Sequence, residues 1–279
     1  MVFGETDFDG ILPKKVPIHS VMGDSHGALF GQGCLQPGKI KATYGTGSSI
    51  MMNIGEKPIL STHGVVTSLA WKIGGHVNYV LEGNLNYTGA VITWLKDDLE
   101  LISSAAETEA LANKAVKEDG LYLVPAFSGL GAPYWDSDAR AAIVGMSRTT
   151  RKAELVRAAL ECIAYQITDV VKAMSEDSKI CIGQLCVDGG PTRNAYLMQF
   201  QSDLLTADVM VPDAEELSAI GPAYAAGLRL GLWDETIFTK LKRTAYKPSM
   251  EDKKRTQKYA GWKEAVKSVL CHNKMAGKD

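Results

Sequence analysis

The chain has 279 residues, of which 46% are hydrophobic and 22% are charged, and its formal net charge is -2. A chain of this length can bury a large core, so we expect one large α/β domain or two closely joined lobes. The balanced charge argues against nucleic-acid binding and against binding to an anionic membrane. No apolar run approaches the roughly 18 residues that span a bilayer.

The cysteines are odd in number and show no C-x-x-C spacing, which argues against a disulfide framework and against a zinc site. A reducing cytoplasm fits this pattern best, so we expect a cytoplasmic protein. The five are Cys34, Cys162, Cys181, Cys186 and Cys271.

The first residues resemble the middle of a longer protein more than a natural N-terminus. Residues 1–15 are polar and carry Gly4, Gly10 and Pro13, which is the composition of a linker. We therefore expect residues 1–15 to be a connector from a preceding domain, and residues 16–279 to form the domain itself.

A carboxylate and a glycine turn near the start indicate phosphoryl transfer. An apolar strand predicted over residues 16–22 would carry Asp24 at its end, and two strands predicted over residues 40–46 and 48–54 flank a turn at Gly45-Thr46-Gly47. Asp24 would accept a proton from an attacking hydroxyl, and the backbone N–H groups of the turn would hold the transferred phosphate. Each part has a simpler explanation, since Asp is common at turns and helix caps and Gly-x-Gly is common in hairpins.

A second hairpin is predicted over residues 65–71 and 76–81, so the early part is rich in antiparallel strands. The apolar spacing then favours a helix from Gly83, followed by a solvated acidic cluster that contains Asp97, Asp98 and Glu100. A helix over residues 107–116 and a strand over 121–124 follow. The long irregular stretch 125–140 is either a functional loop or a loop that its aromatic residues pin to the core.

The second half alternates helices with short strands. Thr150 is a predicted cap of a long central helix, and strands at 180–182 and 185–187 lead to Asp188-Gly189-Gly190, where a ligand can approach the backbone. Helices over 195–205, 218–230 and 253–271 and a strand over 209–211 complete the prediction. The small residues of the helix over 218–230 permit either close helix packing or a flat ligand ring.

Six segments resemble the glycerol kinases of the FGGY family of carbohydrate kinases, in that family's order and spacing. A seventh stretch, residues 141–161, resembles the second signature of the wider FGGY family. The resemblance covers nearly the whole chain, but the family carries an N-terminal domain of comparable size that is missing here. The six segments are residues 23–34 (GDSHGALFGQGC), 43–47 (TYGTG), 81–83 (LEG), 124–136 (VPAFSGLGAPYWD), 187–190 (VDGG) and 259–263 (YAGWK).

The resemblance implies an actin-like, ribonuclease H-like α/β fold with a mixed β-sheet flanked by helices, and ATP with Mg²⁺ bound between two domains. On that basis the chain is the C-terminal, nucleotide-binding half of a kinase for a polyol, glycerol first, and the missing N-terminal domain is its partner. A homodimer is compatible with this assignment. Asp24 matches the catalytic base, and the metal would be carried by ATP near Asp24. The matched nucleotide-site positions are Thr46, Gly47, Gly89, Thr93, Gly190 and Asn194.

Three positions depart from the resembled pattern. Ser25 and Thr93 each stand where the glycerol kinases have Gln, and Ser49 stands where they place a Phe against the polyol. A hydroxyl in place of an aromatic wall enlarges and polarises the substrate site formed by Asp24, Ser25 and Ser49. A longer polyol or a ketose, such as erythritol or xylulose, is therefore an alternative substrate.

A hypothesis of another class is a non-catalytic, actin-like ATP-binding module, which would have no use for Asp24. In either case we expect the isolated chain to bind ADP weakly and to phosphorylate nothing. His26, next to Asp24, either contacts substrate or has a packing or surface role, and the second is favoured.

Overall fold

A computed structural model gives the structure over residues 2–116 and 120–276, with side chains described up to residue 270. The strands are β1 (Gly4–Thr6), β2 (Val16–Ile18), β3 (Ile40–Tyr44), β4 (Ser48–Gly55), β5 (Val66–Ile73), β6 (His76–Leu85), β7 (Tyr122–Val124), β8 (Ala142–Val144), β9 (Gln184–Asp188), β10 (Asp208–Pro212) and β11 (Arg243–Tyr246). The α-helices are α1 (Asp24–Gly31), α2 (Gly89–Thr93), α3 (Glu107–Lys114), α4 (Lys152–Ser178), α5 (Ala195–Leu205), α6 (Leu217–Arg229) and α7 (Asp252–Ala276). A π-helical turn, Trp94–Asp98, continues α2, and 3₁₀ turns span Gly190–Arg193 and Glu235–Lys240.

Seven strands form one mixed sheet in the order β11-β10-β9-β3-β4-β6-β5. β9 lies parallel to both β10 and β3, and the remaining neighbours are antiparallel. Both predicted hairpins are confirmed, because Tyr44 pairs with Ser48 and Ile73 pairs with His76. The expected mixed sheet flanked by helices is therefore present.

The two faces of the sheet bury different clusters. Ile40, Ala42 and Ile50 belong to the main core with residues of α4, α5 and α7, whereas Leu29 of α1 packs with Met51 on the opposite face. Strand alternation explains this division, since successive side chains point to opposite faces. The predicted central helix is confirmed: in α4, Tyr165 is 1% exposed and stacks on Trp262 with ring centroids 5.2 Å apart.

The beginning of α4 corrects one expectation. Thr150 does not cap the helix, because its hydroxyl oxygen accepts the N–H of Ser147 at 2.9 Å. Arg151 is the capping residue, and its N–H donates to the carboxylate of Glu154 at 3.0 Å. A carboxylate in the first turn satisfies a free N–H group as a hydroxyl would.

Three predicted elements have wrong bounds. The strand expected over 16–22 ends at Ile18 and pairs with β1 outside the main sheet, and Pro17 supplies no N–H to a ladder. The helix expected from Gly83 begins at Gly89, because β6 continues to Leu85. Residues 180–182 are not a strand, and β9 begins at Gln184.

The small residues of α6 serve close helix packing. A Cβ on Gly221 would lie 1.9 Å from the carbonyl oxygen of Gly27, and a Cβ on Gly27 would lie 2.5 Å from that of Ser218. No side chain fits at either position, so α1 and α6 touch backbone to backbone. Of the two predicted uses of these small residues, close helix packing is therefore confirmed.

The long loop 125–140 is pinned to the core through a buried carboxylate. Asp169 of α4 is 3% exposed and accepts the hydroxyls of Tyr134 at 2.7 Å and Tyr259 at 2.6 Å, together with the indole N–H of Trp262 at 2.7 Å. Hydrogen bonds to an ionised carboxylate are stronger than those between neutral groups, so these three donors hold their segments firmly to α4. Tyr134 thus anchors the loop to α4 and α7.

Candidate active site

Five of the six positions matched to a nucleotide site line one cavity of about 620 Å³. They come from distant parts of the chain and are Thr46, Gly89, Thr93, Gly190 and Asn194. A cavity of this size suits a nucleotide-sized ligand. The rest of the lining is largely apolar, with Ile92, Ala105, Ala106, Leu160, Ile163 and Leu197 among its residues.

The turn between β3 and β4 is fixed against the beginning of α2. The N–H of Gly89 donates to the carbonyl of Gly45 at 2.9 Å, and the N–H groups of Thr88 and Ala90 both donate to the carbonyl of Thr46 at 3.0 Å. The hydroxyl of Thr88, which is fully buried, also donates to the Gly45 carbonyl at 3.0 Å. Within residues 2–116 and 120–276, no backbone hydrogen bond uses the N–H groups of Thr46 and Gly47. Such N–H groups in a turn can bind an anion.

The sixth position, Gly47, does not line the cavity. A Cβ there would lie 2.2 Å from the carbonyl oxygen of Leu85, so glycine is required by packing against the end of β6. The side chain of Thr93 is exposed and its hydroxyl donates back to the carbonyl of Gly89 at 3.4 Å.

The turn after β9 brings the backbone of another strand to the same cavity. Gly189 has φ 97° and a Cβ there would lie 2.0 Å from the carbonyl oxygen of Tyr44, so only glycine fits between β9 and β3. A Cβ on Gly190, by contrast, would meet nothing within 4 Å. Gly190 therefore presents open backbone to the cavity.

Asn194 has both ends of its amide engaged within the protein. Its side-chain oxygen accepts the N–H of Leu197 at 2.9 Å, which caps α5, and its nitrogen donates to the hydroxyl of Thr108 at 3.0 Å. The N–H of Ala195 donates to the carboxylate of Glu109 at 2.9 Å. Asn194 thus bridges α5 to α3 at the cavity wall.

Asp24 lies at the first residue of α1 and is exposed, and not at a strand end as expected. A carboxylate is favoured in the first turn of a helix by the helix dipole. One of its oxygens accepts the N–H of Ser25 at 2.6 Å. Asp24, Ser25 and Ser49 are not among the residues that line the 620 Å³ cavity.

His26 is hydrogen-bonded to a neighbouring strand. Its Nε2 donates to the carbonyl oxygen of Leu69 at 2.8 Å, which joins α1 to β5. This contact supports the packing role over a role in substrate binding.

Lys41, which was not among the predicted site residues, is fully buried in β3. Its Nζ donates to the hydroxyl of Thr43 at 3.0 Å and to the carbonyl and hydroxyl oxygens of Ser49 at 3.2 and 3.4 Å. Burial lowers the pKa of its amine to about 8, while the charges of Asp188, Glu82 and Asp24 oppose the shift. The signal in the sequence was a lysine between Ile40 and Ala42 in a strand that is otherwise buried.

Asp188, at the end of β9, is held by two successive hydrogen-bonding side chains, Gln32 at the end of α1 and Arg243 of β11. The amide nitrogen of Gln32 donates to its carboxylate at 3.1 Å, and the guanidinium of Arg243 donates to the side-chain oxygen of Gln32 and to its carbonyl. The negative charge of Asp188 acts to raise the pKa of Lys41.

The described residues contain no group of three or more His, Cys, Asp or Glu side chains that could hold a metal ion. Mg²⁺ is commonly bound through one or two carboxylates and the phosphates of a nucleotide. Asp24 offers one exposed carboxylate of the kind that such a site uses. Among the residues that the structure describes, no helix is both long and apolar enough to cross a membrane.

A scan of protein families matches residues 40–230 to the C-terminal domain of the FGGY family of carbohydrate kinases. The chain is 50% identical over 268 residues to a glycerol kinase of Petrotoga mobilis, which covers 95% of the chain and 54% of the relative. It is 46% identical over 271 residues to a glycerol kinase of Staphylococcus epidermidis, covering 96% of the chain and 54% of the relative. The chain thus spans about half the length of the curated relatives it matches.

The solved structures agree with these matches. A glycerol kinase of Plasmodium falciparum with ADP superposes with a TM-score of 0.85 at 36% identity, over 91% of this chain and 52% of that one. A xylulose kinase of Lactobacillus acidophilus superposes at 0.75 with 19% identity, over 91% and 50% of the two chains, which is a likeness of fold. The expected fold class is confirmed.

Proposed function

Because the chain belongs to the FGGY family of carbohydrate kinases, we propose that it is the nucleotide-binding half of an ATP-dependent kinase that phosphorylates a polyol, with glycerol as the first candidate. The family membership confirms the resemblance read from the six segments. The observation that carries the proposal is the 620 Å³ cavity, which gathers five separately encoded positions. Identities of 46–50% to glycerol kinases support glycerol as the substrate.

In the proposed reaction Asp24 accepts the proton of the attacking hydroxyl. Its exposure at the start of α1 leaves it accessible to a substrate, and a carboxylate is a suitable general base for a hydroxyl that attacks phosphorus. The unused N–H groups of Thr46 and Gly47 hold the transferred phosphoryl group, and the cavity at Gly190 holds the adenosine. Mg²⁺, when bound, neutralises phosphate charge.

The remaining half of the enzyme is proposed to come from an N-terminal domain. The curated relatives are about twice as long as this chain, which supports a second domain that completes the enzyme. A homodimer and a cytoplasmic location stay predictions.

A longer polyol or a ketose is the alternative substrate, and Ser49 is the residue that favours it. Ser49 is half-buried and its hydroxyl is bonded to the Lys41 amine, so the wall at this position is polar. When a polar group in the site finds no hydrogen-bond partner on the substrate, kcat/KM falls, so an acceptor with too few hydroxyls is disfavoured. Glycerol, erythritol and xylulose are the candidates to compare.

The test is a panel of polyols and ketoses with ATP and the full-length protein, read as kcat/KM for each acceptor. We expect glycerol to give the highest value. A higher value for erythritol or xylulose would support the alternative. Nucleotide binding without phosphorylation of any acceptor would support the non-catalytic module and overturn the kinase proposal.

A further inference from the structure

The buried ammonium of Lys41 contacts the hydroxyls of Thr43 and Ser49 on the face of the sheet that α1 covers. Cross-strand pairing puts Thr43 between Asp188 and Ser49, and Ser49 beside Asn84. Because paired residues share a face of the sheet, these four side chains form one row, which we call the polar row. The row lies immediately before the Gly45–Gly47 turn.

The Lys41 amine has hydroxyl and carbonyl partners but no ion pair. Its partners are the Thr43 hydroxyl and the two oxygens of Ser49. Within residues 2–116 and 120–270, no carboxylate lies within 4.0 Å of it. A buried ammonium without an ion-pair partner is costly, and an apolar residue of similar volume often replaces a buried charge at no cost in stability. Stability alone therefore does not account for a lysine here.

The charge of Lys41 dictates which way the hydroxyl protons point. An ammonium donates hydrogen bonds and accepts none. The oxygens of Ser49 and Thr43 therefore accept hydrogen bonds from Lys41, and their own O–H groups point away from it. Among the described residues neither hydroxyl donates to another protein group, and both residues are partly exposed, so neither O–H is committed to a protein partner.

We propose that Lys41 is a positioning residue for the acceptor substrate: its ammonium turns the hydroxyls of Ser49 and Thr43 into donors toward a substrate hydroxyl, while Asp24 accepts the proton of the reacting hydroxyl. The assignment rests on the proposed function. It specifies the substrate as a polyol whose unreactive hydroxyl accepts hydrogen bonds from the polar row. A deoxy analogue that lacks this hydroxyl gains nothing from the row.

The orientation holds as long as Lys41 is charged. With its pKa at about 8, roughly nine in ten amines are protonated at pH 7. Above pH 8 the neutral amine can accept a hydrogen bond from the Ser49 hydroxyl, and the donor that faced the substrate is lost. The titratable groups that face the amine are Asp24 and Cys34 from the α1 region, Glu82 from β6, and Asp188 and Cys186 from β9.

The test uses the full-length enzyme with Lys41→Met, Ser49→Ala, the double variant and Lys39→Met as the matched control, since Lys39 is an exposed lysine two residues away. We expect Lys41→Met to lower kcat/KM for glycerol about tenfold at pH 7, the value of one lost hydrogen bond to the substrate, mainly through KM. The loss is smaller for 1,2-propanediol, and the KM for ATP is unchanged. Lys39→Met behaves as wild type.

Two further readouts separate positioning from a structural role. Wild-type kcat/KM falls above about pH 8, and this alkaline limb is absent in Lys41→Met and weakened in Ser49→Ala. Because Lys41 acts through Ser49, the double variant is no worse than the more impaired single variant. If Lys41→Met fails to fold, the Ser49→Ala pH profile decides the matter.

Three results overturn the inference: an unchanged kcat/KM in Lys41→Met, an alkaline limb that Ser49→Ala retains in full, or additive losses in the double variant. In each of these the wild-type enzyme still phosphorylates polyols and the proposed function stands. A wild-type enzyme that phosphorylates no polyol overturns both proposals together.

Discussion

The side-chain nitrogen of Asn194 donates to the hydroxyl of Thr108 at 3.0 Å, which joins α5 to α3 across the wall of the candidate nucleotide cavity. The same side chain caps α5 through the N–H of Leu197. Two functions of one amide can be separated by substitution, because its oxygen serves the cap and its nitrogen serves the bridge.

Asn194→Ala removes both contacts, and we expect it to lower the free energy of unfolding by about 1 kcal/mol through loss of the cap and to weaken ADP binding. Asn194→Asp keeps an oxygen for the cap but has no N–H for Thr108, so it retains most of the stability and still loses ADP affinity. Urea unfolding and calorimetric titration of ADP measure the two effects. Normal ADP affinity in both variants would remove the bridge from the site.

Gly190→Val fills open space and leaves the fold intact, since a Cβ at Gly190 meets nothing within 4 Å. A branched side chain there narrows the cavity, so we expect ADP affinity to fall at least about tenfold, equal to roughly 1.4 kcal/mol, with an unchanged melting temperature. Gly183→Val is the matched control, because that glycine also has open space and does not line the cavity. Equal ADP affinity in the two variants would contradict the placement of the nucleotide beside Gly190.

Asp24→Asn in the full-length enzyme keeps the shape of the side chain and removes its basicity. We expect turnover to fall about 100-fold or more, the usual contribution of a general base, while ATP affinity stays normal because Asp24 lies outside the cavity. Steady-state kinetics and nucleotide titration test this, with the exposed Asp213→Asn as control. Wild-type turnover in Asp24→Asn would exclude Asp24 as the base.

Asp177 makes the free energy of unfolding depend on pH in the acid range. Burial acts to raise its pKa, but hydrogen bonds from the Ser61 hydroxyl, the Thr62 N–H and His63 outweigh it and lower the pKa to about 2. Because the folded pKa lies below the unfolded value near 3.9, the stabilisation is complete above pH 4 and is lost as the pH falls toward 2. We expect wild type to lose about 1 kcal/mol more than Asp177→Asn between pH 5 and pH 2.5, after allowance for solvent screening. Urea unfolding across this range measures the difference, and parallel curves would contradict it.

The local patterns predicted most of the architecture. Gly45-Thr46-Gly47 and Gly74-Gly75 predicted both hairpins because tight turns demand glycine, and the apolar spacing from Leu155 to Ala173 predicted α4. The bounds failed where the deciding signal was not local: β2 is limited to the three residues that pair with β1, and pairing with β4 extended β6 to Leu85. Propensity carries no information about such pairing.

For the candidate site, the structure shows which of the predicted positions lie together, and their chemical roles stay predictions. Thr46, Gly89, Gly190 and Asn194 meet at one cavity although some 150 residues separate the first from the last, and this assignment came from the family resemblance. Lys41 was missed because a lysine in a strand usually points to solvent. Its burial depends on α1 covering that face of the sheet, which no local pattern contains.

The carbonyls of Gly45 and Thr46 already accept hydrogen bonds from the N–H groups of Thr88, Gly89 and Ala90. These bonds restrict the conformational freedom of the turn before any ligand binds. Under the proposed function, a phosphate that binds there meets an ordered turn, so we expect little entropic penalty from loop ordering in nucleotide association. We then expect binding strength at this turn to depend on how well the phosphate oxygens fit the N–H donors, and discrimination among nucleotides to depend on the contacts of the base and ribose.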